Sequence, residues 1–253
     1  MRAPNQLLHS RTRVRGRYAL LPLEGFPTSR LPQWEGCDVR ILAAPALGAQ
    51  FVEYLIDVPT DMGAEASGDV HPAQTFGFLL SGAAQITIEG DTRSVHDGGF
   101  FFVPEKTKYS LRAMEPSRLL LLRKRYEKAA SQQAHAPEPL VGNESNVEAV
   151  AFLGNEHARL QCLLPDTLSY DFAMNIFTFD PGHSLPYIET HVMEHGLFFM
   201  QGKGVYYLGD DWMEVEAGDF IWMGPYCPQC FYATGPTPSR YIYYKNVNRE
   251  IPL

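Results

Sequence analysis

The feature that most constrains the fold of this 253-residue chain is an internal repeat at close to half its length. FLLSG at 78–82 lies 120 positions before FFMQG at 198–202. Further on, PSRLLLLRK at 116–124 matches PSRYIYYKN at 238–246 at an offset of 122, so the second copy carries a two-residue insertion. Self-similarity at a fixed spacing indicates a duplicated structural unit. We therefore expect two copies of one fold.

Each copy is predicted to consist of strands. The 19 prolines and 21 glycines interrupt most windows before a helical period can build up. Short β-branched or aromatic runs recur between turn residues, among them QFVEYLIDV, AAQITIEG, DFAMNIFTF and RYIYYKNV. This pattern predicts an all-β chain of two stacked barrels. We expect the N-terminal barrel with a basic arm over residues 1–130, a Pro-rich linker over 131–146 and the C-terminal barrel over 147–253.

Charge and composition disfavour several classes of partner. The 29 acidic residues outnumber the 21 basic ones, which argues against nucleic acid or an anionic membrane as a partner. No apolar run reaches the roughly 18–20 residues of a membrane span, and the N-terminus lacks a secretory pattern. Four cysteines are too few for a disulfide scaffold, so a cytoplasmic location is expected. Four arginines lie near the N-terminus: Arg11, Arg13, Arg15 and Arg17. They are expected to form a solvated or subunit-contacting arm, and the alternative is an arm that binds anions.

The segment YIETHVMEHG carries a cluster of metal-binding residue types, Glu189, His191 and His195. A helix would place the two histidines on one face as in an HExxH motif, but Val192 occupies the position of that motif's glutamate. A proline and a glycine also bound the segment. In an extended chain Glu189 and His191 point to the same face, and His195 can return to that face from the next strand.

These spacings resemble a known motif. The segment from Gly182 to Gly202 resembles the first cupin motif, here written Glu189-x-His191-x3-His195-x6-Gly202. The second cupin motif has its ligand eleven residues after a glycine, which leads from Gly218 to Gln229. The set Glu-His-His-Gln resembles that of the bicupin (S)-ureidoglycine aminohydrolases of purine and allantoin breakdown, and the resemblance runs over nearly the whole chain.

The resemblance implies a bicupin of two jelly-roll barrels that removes ammonia from (S)-ureidoglycine to give (S)-ureidoglycolate. It also implies one Mn²⁺ per chain in the C-terminal barrel, held by Glu189, His191, His195 and Gln229. The implied substrate-binding residues are Glu189, Gln229, Tyr241 and Lys245, and the implied catalytic residues are Glu189 and Lys245. A carboxylate, two imidazoles and an amide form a nitrogen and oxygen donor set without thiolate, which suits Mn²⁺ or Fe²⁺. We further expect a homo-oligomer whose partner is a small ureido substrate.

Two other classes remain open from the residues. Another metal bicupin enzyme, oxalate decarboxylase-like or dioxygenase-like, would favour three histidines and a glutamate. A non-enzymatic bicupin that binds a small ligand would be expected to lose ligands in both halves. In the N-terminal half, the positions equivalent to the four ligands are Asp69, His71, Thr75 and Tyr109. One histidine and one aspartate do not make a competent metal site, so this half is predicted to hold none. Cys227 and Cys230 form a CxxC without a second pair, so a structural or incidental role is expected.

Overall fold

The computed structural model describes residues 11–66, 73–129 and 135–248. Strands, joined by turns and short 3-10 helices, dominate these ranges, and no α-helix occurs in them. No helix of the described residues is long and apolar enough to cross a membrane. The predicted all-β class is confirmed.

The strands of the described residues are β1 (Arg13–Val14), β2 (Tyr18–Leu21), β3 (Asp38–Ala43), β4 (Val52–Val58), β5 (Gly63–Ala66), β6 (Gln74–Ser81), β7 (Ala84–Ile88), β8 (Asp91–Val95), β9 (Gly99–Val103), β10 (Tyr109–Ala113), β11 (Ser117–Lys124), β12 (Leu140–Asn143), β13 (Val150–Phe152), β14 (Asn155–Cys162), β15 (Phe172–Phe179), β16 (His195–Gln201), β17 (Lys203–Leu208), β18 (Asp211–Glu216), β19 (Phe220–Met223), β20 (Gln229–Ala233) and β21 (Ser239–Asn246). The 3-10 helices are Leu23–Gly25, Pro32–Trp34, Pro45–Leu47 and Glu144–Asn146.

The chain divides into two compact units. Of the described residues, those within 27–147 and 167–171 form the N-terminal unit, and 11–26, 148–166 and 172–248 form the C-terminal unit. The N-terminal unit has a six-stranded sheet of order β12-β9-β6-β11-β4-β3 and a four-stranded sheet of order β5-β10-β7-β8. The C-terminal unit has an eight-stranded sheet of order β1-β2-β19-β16-β21-β15-β14-β13 and a three-stranded sheet of order β18-β17-β20. The shared order β9-β6-β11-β4-β3 and β19-β16-β21-β15-β14 shows the duplication predicted from the repeat.

The division between the units differs from the predicted boundaries. The described part of the N-terminal arm belongs to the C-terminal unit, because β2 pairs with β19 through partners such as Leu20 and Ile221. The segment predicted as a linker contains β12, which pairs with β9 in the N-terminal unit. A Pro-rich composition therefore did not mark a free connection here, since four of these residues complete a sheet edge.

Each unit encloses its own apolar core, which follows from strand alternation. In β7 the side chains of Ala84, Ile86 and Ile88 are buried, whereas those of the two intervening residues are half-buried. The C-terminal core is strongly aromatic, with Phe199 and Phe231 at a ring-centroid distance of 5.4 Å. Burying such a side chain contributes about 1.5–3 kcal/mol. A preformed core of this kind holds the strands that carry the candidate site.

The two repeated sequence motifs contact each other in both units. Gly82 and Gly202 have φ of 96° and 79°, which favours glycine. A Cβ atom added at Gly82 would lie 2.7 Å from the carbonyl oxygen of Pro116, and one added at Gly202 would lie 2.8 Å from that of Pro238. In each unit the Pro-Ser turn therefore leaves room only for a glycine at the position facing it, Gly82 or Gly202. This contact explains why the glycine and the Pro-Ser turn recur together in both copies.

Candidate metal centre

A two-residue backbone bridge brings the predicted ligands together. The N–H of Glu189 donates to the carbonyl of Gln229 at 2.8 Å, and the N–H of Gln229 donates back at 2.9 Å. Residues that exchange both bonds are directly opposite, so these two side chains leave the same face. The carbonyl of His191 accepts the N–H of Tyr226 at 2.8 Å, and His195 is the first residue of β16. The segment is therefore extended, as predicted, and not helical.

Three of the four predicted ligand side chains converge. Nε2 of His195 lies 3.2 Å from Nε2 of His191 and 3.3 Å from Nε2 of Gln229. Nε2 of Gln229 lies 3.5 Å from Nε2 of His191. Neighbouring ligands on an ion with metal–ligand bonds of about 2.1 Å are about 3 Å apart. The spacing fits a metal ion once the Gln229 carboxamide turns over to present its oxygen.

Glu189 is the fourth predicted ligand. Its side chain is half-buried, whereas those of His195 and Gln229 are buried. Among the residues that the structure describes, no three His, Cys, Asp or Glu side chains converge in a metal-binding geometry. The backbone bridge aims the Glu189 carboxylate at the same face as Gln229, and its ligation of a metal stays a prediction.

Hydrogen bonding fixes the state of His195. Its Nδ1 lies 3.1 Å from the carbonyl oxygen of Tyr244. Because a carbonyl oxygen only accepts, Nδ1 carries the hydrogen and Nε2 presents its lone pair to the cluster. Burial lowers the pKa of His195 to about 3, with the neighbouring His191 acting in the same direction, so the ring is neutral at pH 7. A neutral imidazole whose other nitrogen is held by a carbonyl is the form that binds metals.

The remaining pKa shifts at the cluster have two causes. Burial lowers the pKa of His191, and the charge of Lys245 lowers it further. Burial raises the pKa of Glu189, while the Lys245 charge opposes that rise. Burial and the Lys245 charge together favour the neutral form of His191. At Glu189 the two act in opposite directions, because burial favours the protonated carboxyl and the Lys245 charge favours the carboxylate.

Lys245 lies on the same face as the cluster. It is directly opposite His195 in the pairing of β21 with β16 and opposite Ala173 in the pairing with β15. Tyr241 and Tyr243, four and two residues earlier in β21, point to that face and join the C-terminal core. Lys245 itself is half-buried. An ammonium group at the rim of a barrel is placed to pair with an anion.

Tyr241 is more deeply placed than its predicted role suggests. Only 2% of it is exposed, and its ring packs 5.2 Å from that of Phe199. Its side chain hydrogen-bonds to Tyr206. The Tyr206 hydroxyl in turn donates to Oε1 of Gln229 at 2.9 Å. Tyr241 thus reaches the cluster through Tyr206, and its contact with a substrate stays a prediction.

Sequence reasoning missed two polar residues on this face. Tyr206 holds the Gln229 carboxamide, and Asn175 donates to the Tyr243 hydroxyl at 3.2 Å. A signal for Asn175 existed, because it is the only amide in the mostly apolar strand segment FAMNIFTF. Tyr206 gave no such signal, since its neighbour Tyr207 is the same residue type and only the strand register separates them.

The N-terminal copy holds different residues at the equivalent positions. Thr75 is opposite Arg123, as His195 is opposite Lys245. Tyr109, equivalent to Gln229, is buried, and burial raises the pKa of its hydroxyl. Asp69 and His71 lie outside the described residues. In the described part of this unit no group of metal-binding side chains converges.

The arm and the cysteines occupy structural positions. Arg11 donates to Asp219 at 2.8 Å and to Glu216 at 2.9 Å, within the C-terminal unit. Cys227 and Cys230 are both buried free thiols that face the carbonyls of different residues. The structural or incidental role expected for the CxxC stays a prediction.

The repeated all-β fold and the histidine-centred cluster define a protein of the cupin class, and residues 175–244 match the model of the cupin domain. The chain is 35% identical to (S)-ureidoglycine aminohydrolase of Escherichia coli (strain K12), over 98% of this chain and 95% of that protein. It is also 35% identical to (S)-ureidoglycine aminohydrolase of Arabidopsis thaliana, over 92% of this chain and 76% of that protein. The crystal structure of protein Ylba from E. coli superposes with a TM-score of 0.84 at 33% identity, covering 100% of both chains. The chain belongs to the (S)-ureidoglycine aminohydrolase family.

Proposed function

We propose that this protein is an (S)-ureidoglycine aminohydrolase that uses a manganese ion bound in its C-terminal unit. The observation that carries the proposal is the convergence of His191, His195 and Gln229 within 3.5 Å, beside a half-buried Lys245, in a chain of this family. The ion would be held by these three side chains and Glu189. When bound, it would act as a Lewis acid and a template for the substrate.

The reaction breaks the bond between the α-carbon and the amino nitrogen, forms a bond from that carbon to a water oxygen, and releases ammonia. Lys245 supplies the positive charge that binds the substrate carboxylate, since its strand position opposite His195 puts this cation on the site face. Holding the carboxylate there fixes the α-carbon in one orientation, which accounts for a stereospecific reaction. The rigid strand pairing of Lys245 with His195 keeps this anchor at a constant distance from the cluster.

A proton must leave the attacking water and one must reach the departing amine. The backbone bridge puts the Glu189 carboxylate on the same face as Gln229, so we assign to Glu189 the role of carrying that proton. Tyr206 keeps the Gln229 carboxamide in place through its hydroxyl. Tyr241 supports Tyr206 from the core.

The alternatives are less well supported. A decarboxylase-like or dioxygenase-like bicupin would favour a third histidine where this chain has Gln229. A non-enzymatic ligand-binding bicupin offers no reason for one of the two copies to keep two histidines and a buried, oriented amide. A cytoplasmic homo-oligomer remains a prediction, and sedimentation analysis of the purified protein checks the oligomeric part.

The test is ammonia release from freshly generated (S)-ureidoglycine, with product configuration analysed by chiral chromatography. We expect manganese-loaded protein to release ammonia and form (S)-ureidoglycolate faster than the spontaneous reaction. No acceleration at any metal loading would contradict the proposed function.

A further inference from the structure

A buried polar pair lies beside the histidine cluster. Asn175 in β15 is directly opposite Tyr243 in β21, and its Nδ2 donates to the Tyr243 hydroxyl at 3.2 Å. Asn175 is 4% exposed and Tyr243 is 8% exposed. Within the described residues, the other carboxamide atom, Oδ1 of Asn175, has no hydrogen-bond partner. A buried polar atom without a partner costs about 1–3 kcal/mol, so its presence calls for a role.

The pair shares a face with the site. Tyr243 is two residues before Lys245 on β21, and its ring meets the ring of His195 at a centroid distance of 5.6 Å and an angle of 61°. Asn175 is also opposite Cys162, an exposed residue at the end of β14. The pair therefore lies between the histidine cluster and the exposed end of β14.

The duplication supplies an internal comparison. The positions of Asn175 and Tyr243 correspond to Tyr54 and Leu121, which are opposite each other in β4 and β11. The N-terminal copy thus has a tyrosine in place of the carboxamide and a leucine in place of the facing tyrosine. The polar pair occurs in the copy that has the histidine cluster. Because the other copy adopts the same fold without the pair, the fold itself does not require these two residues.

The pair presents one hydrogen-bond donor and one acceptor. With Nδ2 bonded to the tyrosine oxygen, Oδ1 of Asn175 accepts and the Tyr243 O–H is free to donate. Turning the carboxamide over exchanges these roles but still leaves one donor and one acceptor. A ureido group offers the complement, an N–H beside a carbonyl oxygen.

We propose that Asn175 and Tyr243 bind the ureido group of the substrate, and so select ureido acids over simple 2-hydroxy or 2-amino acids. This inference rests on the proposed function. Lys245 binds the carboxylate at the rim, and the Asn175–Tyr243 pair binds the opposite end of the molecule. The two contacts fix the substrate across the histidine cluster.

The experiment compares two ligands on manganese-loaded protein by calorimetry. (S)-Ureidoglycolate carries the ureido group, and glycolate has the same carboxylate and hydroxyl without it. Asn175→Leu should weaken (S)-ureidoglycolate binding by about 10-fold or more and change glycolate binding by less than about 3-fold. Tyr243→Phe, which removes one hydroxyl, is the milder variant should Asn175→Leu fail to fold. Lys245→Met should weaken both ligands.

The outcomes are separable. Loss of (S)-ureidoglycolate affinity alone supports the inference. Equal loss for both ligands, or no loss for either, overturns it. If the wild-type protein releases no ammonia from (S)-ureidoglycine, the proposed function fails first. If the wild type is active and Asn175→Leu and Tyr243→Phe bind (S)-ureidoglycolate as the wild type does, only the ureido assignment fails.

Discussion

His195 and Lys245 face each other directly across two antiparallel strands, β16 and β21, with their side chains on the same side of the sheet. One is a neutral, buried imidazole whose Nε2 is aimed at the cluster, and the other is a half-buried cation at the rim. The strand register therefore sets a binding position for an anion next to the candidate metal centre.

Removing the charge at position 245 should separate substrate binding from metal binding. Lys245→Met keeps the apolar stem and should leave manganese content unchanged. Catalytic efficiency should fall about 100-fold or more, because a charged hydrogen bond in a shielded site is worth about 2–3 kcal/mol. Lys245→Arg should not restore it, since a planar fork replaces a compact charge. Lys203→Met, at an exposed position, is the matched control, and near wild-type efficiency of Lys245→Met would remove this lysine from the account.

The hydroxyl of Tyr206 should matter for the metal. Tyr206→Phe removes the hydroxyl that holds the Gln229 carboxamide while keeping the ring in the core. Once the carboxamide turns its oxygen to the metal, that hydroxyl accepts from the amide N–H, so manganese affinity should fall about 10–100-fold without it. Tyr207→Phe is the control, because Tyr207 packs against Trp212 at 5.0 Å and points away from Gln229. Titration of both variants with manganese measures the effect. Equal affinities in the two variants would show that Tyr206 does not position the glutamine.

Glu53 should make the stability of the protein depend on pH. Burial raises the pKa of this carboxyl in the folded protein from 4.5 to about 8. The unfolded chain loses its proton near pH 4.5 and the folded one near pH 8, so stability falls as pH rises between these values and is fully present below pH 4.5. Glu53→Gln should gain about 2 kcal/mol or more at pH 8.5 and little at pH 4.5 in urea unfolding. The exposed Glu115→Gln is the control, and a gain that does not vary with pH would refute the assignment.

The repeated glycine should be required for stability. Gly202→Ala combines a left-handed φ of 79° with a Cβ 2.8 Å from the Pro238 oxygen, so the free energy of unfolding should drop by about 2–4 kcal/mol. Gly154→Ala has a similar φ of 80° but no atom within 4 Å of the added Cβ, so it should lose only about 1 kcal/mol. Denaturant unfolding compares them. Equal losses would mean that the contact with the Pro-Ser turn is unimportant.

The repeat and the alternation of apolar residues were enough to predict the fold class, because both reflect local strand geometry. The same alternation placed Tyr241, Tyr243 and Lys245 on one face, as observed. The boundaries of the two units could not be predicted from local patterns. They depend on the pairing of β2 with β19 and of β12 with β9, which joins segments distant in sequence. The role of Tyr206 was hidden for the same reason, since only the register of β17 against β20 decides which tyrosine faces Gln229. The motif spacing identified His191, His195 and Gln229, and the structure brings these three together.

The central claim, that the cluster holds the metal on which the activity depends, is tested most directly by metal analysis together with ammonia release on His195→Ala. The control is His157→Ala, which removes an exposed histidine of the same unit that contacts Asp180. We predict about one manganese per chain and full activity in the wild type and in His157→Ala. His195→Ala should keep its folded circular dichroism spectrum, lose the manganese and lose ammonia release from (S)-ureidoglycine. Unchanged manganese content and activity in folded His195→Ala would contradict the account.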